Sequence, residues 1–296
     1  LYIGVGRFSV EGVPTPHRWI MPALALLLSA AVAQSDPPPV KSWGRYTLQT
    51  TPNSLPTDST YVQGTLKLKQ GNKTLLSIKD DMISTELQPL RPGGLPELVI
   101  TLFSGGAHCC TTTLIYTQDN GRLENIGELA QGNYPASFRD LNKDGTKEIM
   151  FYSDSLAYYD WSFASSPAIG GVLGWDGLRL ADRTRAYAYI PGNLAADYLK
   201  QLQAALKTST GNTDVDEEGV KSQLGGYYGN MVVAGRGLEA EKVLNTQIFP
   251  KAPKYRTWFT QHRGDLIGAT YALTEGRLSI FSGAVYPPPD QNEDSP

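Results

Sequence analysis

Asp140, Asn142 and Asp144 alternate within Phe138-Arg139-Asp140-Leu141-Asn142-Lys143-Asp144-Gly145-Thr146-Lys147-Glu148-Ile149. Alternation lets a curled backbone aim three oxygen-bearing side chains at one centre. Such a centre suits Ca2+, a hard cation that takes roughly six to eight oxygens at loose spacing. Gly145 stands where the chain must turn sharply and a Cβ would clash. Thr146 can offer its backbone carbonyl, and Glu148 can close the ring. An EF-hand would place a bidentate glutamate at loop position twelve, counted from Asp140. That position is Phe151, inside the apolar run Ile149-Met150-Phe151-Tyr152. The loop is therefore not an EF-hand, and the same residue argues against a dockerin loop. The competing reading is a polar Asn/Asp/Gly turn between two strands.

A second stretch with chemical potential is Ser104-Gly105-Gly106-Ala107-His108-Cys109-Cys110, which holds both cysteines of the chain. Adjacent cysteines can close a strained vicinal disulfide. They can equally be two half-buried thiols beside a strand. A soft-metal or redox site with His108 is a third reading, but no second cysteine pair completes a shell. A Cys–His nucleophile is the weakest, because sequence neighbours on a strand point to opposite faces. The segment is similar to Gly-Gly-Ala-His-Cys-Cys stretches in secreted bacterial proteins of unassigned function.

These stretches sit in an internal repeat. Pro96-Glu97-Leu98-Val99-Ile100 matches Lys147-Glu148-Ile149-Met150-Phe151 at a shift of 51 residues, and Gly94 falls on Gly145. The same shift sets Pro89, Arg91 and Gly93 on Asp140, Asn142 and Asp144. The earlier copy thus keeps turn and strand without the metal oxygens. Each copy continues into a hairpin with a glycine turn, through Gly121 and Gly177, and a third hairpin is predicted at Tyr271-Ala272-Leu273 to Gly276-Arg277-Leu278. The shift also sets Ala107-His108-Cys109-Cys110 on Tyr158-Tyr159-Asp160-Trp161. Both loops follow equivalent strands, so His108, Tyr158, Tyr159, Asp160 and Trp161, with Phe163, form a candidate ligand face suited to sugars or peptide segments. The alternative is that these aromatics cover the core.

The calcium-type loop resembles the Asp-x-Asn-x-Asp-Gly-x-x-Glu-Ile loop of FG-GAP and VCBS-type repeats, β-propeller blades of integrin-like and secreted bacterial proteins. The resemblance covers the middle of the chain. It implies a calcium ion in the loop that enters a blade strand, held by Asp140, Asn142, Asp144, Thr146 and Glu148. Two or three blades cannot close a propeller, which takes at least four. The expected fold is α+β: a β-rich, partial propeller-like domain of two or three blade-like repeats, followed by a small helical segment.

The elements around these residues fall in order. Residues 1–20 show no periodicity and read as upstream sequence or an n-region. Residues 21–33 form an apolar run ending in Ala31-Val32-Ala33, the pattern of a cleaved signal peptide. That predicts a secreted or periplasmic protein without a stable membrane span after cleavage. Residues 34–42, with three consecutive prolines, read as a linker. The β domain is expected over 43–188, with a hairpin from Thr65–Lys69 to Thr74–Ile78. A helical segment follows over 190–263. Asn193 is placed to cap a helix over 194–207, and a second helix starts near Thr213 but is weakened by Gly219, Gly225, Gly226 and Gly229. Further helices are expected over 238–249 and around Tyr255–Phe259. A β-hairpin is expected over 266–284 and a disordered tail over 287–296.

Composition narrows function. Formal net charge is −3 over 296 residues, with 19% charged residues. There is no basic surface for nucleic acid. Met231 to Ala240 mimics a dinucleotide-binding Gly-x-Gly-x-x-Ala turn, but no acidic residue or second strand follows where that fold needs one. Gly235 and Gly237 read instead as a helix stop and restart. No P-loop, Gly-x-Ser-x-Gly elbow or His-Glu-x-x-His motif is present. The best-supported class is a calcium-binding scaffold or binding module for a protein or carbohydrate ligand. The alternative is an extracytoplasmic hydrolase working through the His108/Asp160 face.

Overall fold

In the computed structural model, alternating Leu and Lys in the segment after residue 63 give a strand with one dry face. It is β3 (Gly64–Gln70), where Leu66 and Leu68 are buried and Lys67 is exposed. The described residues are 40–51, 64–105, 111–132, 134–208 and 214–271. With β1 (Ser42–Trp43), β2 (Tyr46–Thr51) and β4 (Lys73–Asp80), it makes a four-stranded antiparallel sheet in sequence order. The predicted 65–69/74–78 hairpin is the β3–β4 pair, with a bulge after Leu68.

Two more sheets of the same kind follow. β5 (Met82–Gln88), β6 (Glu97–Phe103), β7 (Thr111–Asp119) and β8 (Arg122–Gly132) form the second. β9 (Ser137–Arg139), β10 (Glu148–Ser153), β11 (Ile169–Trp175) and β12 (Leu180–Asp182) form the third. Each is an up-and-down antiparallel meander. The protein is α+β, and among the described residues the three sheets do not close into a propeller.

The middle sheet feeds two cores. Side chains alternate across a strand, so Leu98 and Ile100 of β6 join Leu66, Leu68 and Tyr46 from the first sheet. Val99, between them, joins Ile149, Phe151, Ile169 and Leu173 from the third sheet. This double burial explains why β6 reads as a continuous apolar run rather than an alternating one.

The repeat shift survives in the register. Gln88 pairs with Glu97, and Arg139 pairs with Glu148, 51 residues on. Beyond these strands the spacing changes. Leu98 faces Tyr116, whereas Ile149 faces Leu173, so β7 and β11 are related by 57 residues. The second copy therefore carries six extra residues in its β10–β11 connection. Residues 107–110, which the shift sets on 158–161, lie outside the described residues.

Four helices complete the chain: α1 (Tyr189–Thr208), α2 (Asp214–Val233), α3 (Gly237–Val243) and α4 (Pro253–Tyr271), with a π turn at Leu244–Ile248. α1 begins a turn before the expected Asn193 cap. α2 runs unbroken through four glycines, because three of them lie against the third sheet and its entry loop. A Cβ at Gly225 would sit 2.7 Å from Trp161 Cη2, and one at Gly229 2.7 Å from Ile169 Cδ1. Close approach here outweighs poor helix propensity. Buried Asn230 anchors the contact: its amide accepts Gly170 N–H at 2.9 Å and donates to Ala168 O at 2.9 Å.

The Gly235-Arg236-Gly237 break is a helix stop and restart. Gly235 has φ +77°, and the N–H groups of Gly235 and Arg236 bond back to Val232 O and Met231 O. α4 is much longer than the short helix expected around Tyr255–Phe259. It overrides the hairpin expected over 266–284 at residues 266–271, where Leu266 is fully buried in the core shared by sheets and helices. The leader, the linker to residue 39, the 272–284 remainder of that hairpin and the 287–296 tail lie outside the described residues. No described helix is long and apolar enough to cross a membrane.

Candidate metal-binding loop

Residues 140–147 close the β9–β10 hairpin between the paired Arg139 and Glu148. Gly145 takes φ +91° and Lys143 φ +64°, left-handed conformations that coil the loop on itself. Asp140 Oδ1 accepts Lys143 N–H at 2.6 Å, and Oδ2 accepts Gly145 N–H at 3.0 Å. Asn142 Oδ1 accepts Asp144 N–H at 3.0 Å, while its Nδ2 donates to Asp144 Oδ2 at 2.8 Å. Asp144 Oδ1 accepts Thr146 N–H at 2.7 Å and the Thr146 hydroxyl. The Thr146 hydroxyl, the Thr146 N–H and then the Asn142 amide hold the Asp144 carboxyl below the usual carboxylate range.

The donor set suits a hard cation. It offers two carboxylates, one amide oxygen and a backbone carbonyl, all oxygen. Asp140, Asn142 and Asp144 lie within one exposed turn, and both Asp140 oxygens, each with one N–H donor, keep lone-pair capacity. Among the described residues no three His, Cys, Asp or Glu side chains gather as a metal shell.

Glu148 stands apart from the other four. It is 6% exposed. Its Oε2 accepts Leu141 N–H at 2.8 Å, which ties the loop to its own strand, and its Oε1 accepts the Tyr187 hydroxyl at 2.5 Å. Among the described residues it forms no ion pair. Arg183 runs past Gly174, and its charge acts on the neighbouring Tyr187 hydroxyl, lowering it, without a direct ion pair to Glu148. Burial, and then Glu148, push the Tyr187 hydroxyl up to about 12.

The first repeat supplies an internal comparison. Glu97, equivalent to Glu148, is 1% exposed, and its Oε2 accepts Leu90 N–H at 2.9 Å. Its Oε1 pairs with Arg91 Nε at 2.7 Å and accepts the Thr117 hydroxyl at 3.3 Å. Arg91 occupies the position of Asn142. The two loops are stitched together. Lys147 N–H donates to Pro89 O at 2.7 Å, and Lys147 Nζ donates to Gln88 Oε1 at 2.8 Å. Between them lies a cleft of about 500 Å³, with Leu87, Pro89, Pro92 and Leu95 on one wall and Asp144 and Thr146 on the other.

Of the candidate ligand face, Tyr158, Tyr159, Asp160, Trp161 and Phe163 are among the described residues. Among these described residues only Tyr158 is well exposed, at 61%. Trp161 is buried, and its Nε1 donates to Leu156 O at 2.8 Å. The Tyr159 hydroxyl lies 2.7 Å from His262 Nδ1 and donates to Asp265 Oδ2 at 2.8 Å, both on α4. Asp160 Oδ2 accepts Trp258 Nε1 at 2.6 Å and pairs with Lys221 of α2 at 3.0 Å. Trp258 stacks on His262 at 4.9 Å. Tyr159 and Asp160 therefore fasten the 154–168 connection to the helices, while the Trp161 ring contacts Tyr159 and Trp258. Tyr–His–Asp convergence was invisible in the sequence, because its halves lie about a hundred residues apart. His108, Cys109 and Cys110 lie outside the described residues.

Comparisons with known proteins are sparse. No family model matches the chain, and no solved structure matches it. A probable thylakoid lumen protein of Synechocystis sp. is 32% identical over 82 residues. That stretch covers 26% of this chain and 24% of the relative, so the similarity reaches only about a quarter of either protein.

Proposed function

We propose that this is an extracytoplasmic, secreted or periplasmic, calcium-binding β-repeat protein that acts as a binding or scaffold module. The observation that carries the metal reading is buried Glu148, a carboxylate without a cationic partner among the described residues, at the edge of a loop of oxygen donors. A buried charge without a direct ion pair is costly. In the matching position of the first repeat, Arg91 meets that need. In the second, the side chains around the loop offer oxygens instead. Asp140, Asn142, Asp144, the Thr146 carbonyl and Glu148 would hold the ion. Calcium supplies positive charge there and sets the loop's shape.

Three consecutive four-stranded meanders, the middle one packed between its neighbours, support a propeller-like assembly of blades. The signal-peptide pattern supports export, and the partial relative's name, a lumen protein, agrees with a compartment outside the cytosol. If the dissociation constant is a tenth of ambient calcium, binding adds about 1.4 kcal/mol to stability. That corresponds to a Tm rise of roughly 3–6 °C for a domain of this size. Thermal unfolding in calcium and in EGTA, beside Asp144→Ala, tests the reading. Calcium should raise the Tm of the parent and leave the variant unmoved. Equal responses of the two proteins would refute it.

A further inference from the structure

The two loops solve one electrostatic problem with different means. Both repeats bury a glutamate at the first residue of an inner strand, Glu97 in β6 and Glu148 in β10. Both use one carboxylate oxygen to accept the N–H seven residues upstream, from Leu90 and Leu141. That bond pins the start of each loop to its strand. It also takes a charge out of water, which is unfavourable unless a cation and further donors satisfy it.

The remaining oxygen is where the repeats diverge. Glu97 Oε1 faces the Arg91 guanidinium, which also donates to the Thr117 hydroxyl and lies over the Trp175 ring with its Cζ 5.4 Å from the ring centroid. Trp175 belongs to β11, so Arg91 spans both repeats. Opposite Glu148 on the neighbouring strand, the register places Gly174 where the first repeat has Thr117. A Cβ there would already meet Glu148 Cγ at 3.4 Å and Arg183 Cγ at 3.2 Å. Glu148 Oε1 has the neutral Tyr187 hydroxyl instead. The turns differ as well: positive φ falls on Gly93 and Gly94 in the first loop, and on Lys143 and Gly145 in the second.

We propose that Arg91 is the built-in cation of the first loop, holding the buried Glu97 carboxylate by charge, so that this loop is locked independently of metal while its partner is left to an exchangeable ion. This rests on the calcium reading only for the second half of the statement. The consequence concerns the cleft. Its wall at Pro89–Leu95 is fixed by a tethered guanidinium, and its wall at Asp144–Thr146 alone responds to calcium. A planar, permanently charged guanidinium suits the fixed role, since it carries both the ion pair and the stack on Trp175.

The test is a double-mutant cycle on the full chain, measured by thermal unfolding in EGTA and again in calcium. Arg91→Met keeps side-chain length and removes the charge, leaving Glu97 buried and unpaired. It should lower Tm by roughly 6–20 °C. Arg91→Lys should retain part of the stability. Adding Glu97→Gln to Arg91→Met removes the stranded charge and should recover most of the loss, although Glu97→Gln alone is destabilising. The Arg91→Met deficit should be equal in calcium and EGTA. If Arg91→Lys falls as far as Arg91→Met, or the double variant is no better than Arg91→Met, charge is not what holds the loop and the proposal is overturned. If calcium restores Arg91→Met, the loop is not metal-independent and the proposal is likewise overturned. Should the parent ignore calcium, the calcium reading fails by itself, because the cycle is complete in EGTA.

Discussion

Gly226→Ala places a methyl group on the most crowded face of α2. Its Cβ would lie 2.8 Å from Pro167 Cβ and 2.8 and 2.9 Å from Tyr198 Cδ1 and Cε1. A proline ring carbon and an aromatic edge cannot swing aside like the end of a lysine. The Tyr198 hydroxyl also accepts Ala168 N–H at 2.8 Å, so displacing the ring strains that bond. Overpacking costs roughly 1–3 kcal/mol, and a lost hydrogen bond adds about 0.5–1.5 kcal/mol. Alanine's better helix propensity returns about 1 kcal/mol. The net is a destabilisation centred on about 2 kcal/mol, or roughly 4–8 °C in Tm. Gly219 on the same helix has nothing within 4 Å of its would-be Cβ. Gly219→Ala should therefore stabilise by up to about 1 kcal/mol. Thermal unfolding of the two variants side by side should give shifts of opposite sign. A rise in Tm for both would refute the claim that close packing accounts for the glycines of α2.

Two further outcomes follow from the hydrogen-bonded acids. Tyr187→Phe removes a donor from buried Glu148 and should cost about 1–3 kcal/mol in denaturant unfolding. Because the Tyr187 hydroxyl in the folded protein is raised to about 12, its stabilisation is complete below its unfolded value near pH ~10 and fades as pH rises toward 12. The variant should lose that alkaline limb, and an unchanged limb would contradict the bond's role. For Asp160, burial pushes the carboxyl up, but the Lys221 and Trp258 hydrogen bonds with the Lys221 charge hold it below its ordinary value. Its stabilisation is present above about pH 4 and lost as pH falls through the depressed folded value. Asp160→Asn should flatten the acid limb of a stability–pH curve, and a limb as steep as the parent's would refute the assignment.

Much of the β architecture was legible because its signals are local. Leu/Lys alternation marked β3, and the 51-residue shift marked β6 and β10 together with their loops. The Gly235–Gly237 break was legible for the same reason, since a left-handed stop is written in adjacent residues. What stayed hidden depends on residues far apart. The glycines of α2 look like helix breakers until Trp161, Tyr198 and Ile169 are placed against them. Asp160 looks like a free loop acid until Lys221 and Trp258 arrive from two helices. The length of α4 is not legible, because its exposed face is polar and its buried positions, from Tyr255 to Leu266, pattern as a short helix followed by a strand. Arg91 was aligned with Asn142 from the sequence, but only the position of its guanidinium on Glu97 turns a lost ligand into a replacement charge.

Isothermal titration of Ca2+ into the metal-stripped full chain tests the central claim most directly, with Asp144→Ala and Glu148→Gln as companions. One equivalent of calcium should bind the parent, and affinity should fall sharply in both variants. Absence of binding heat, together with a Tm that calcium does not move, would contradict it and leave residues 140–148 as a plain hydrogen-bonded turn.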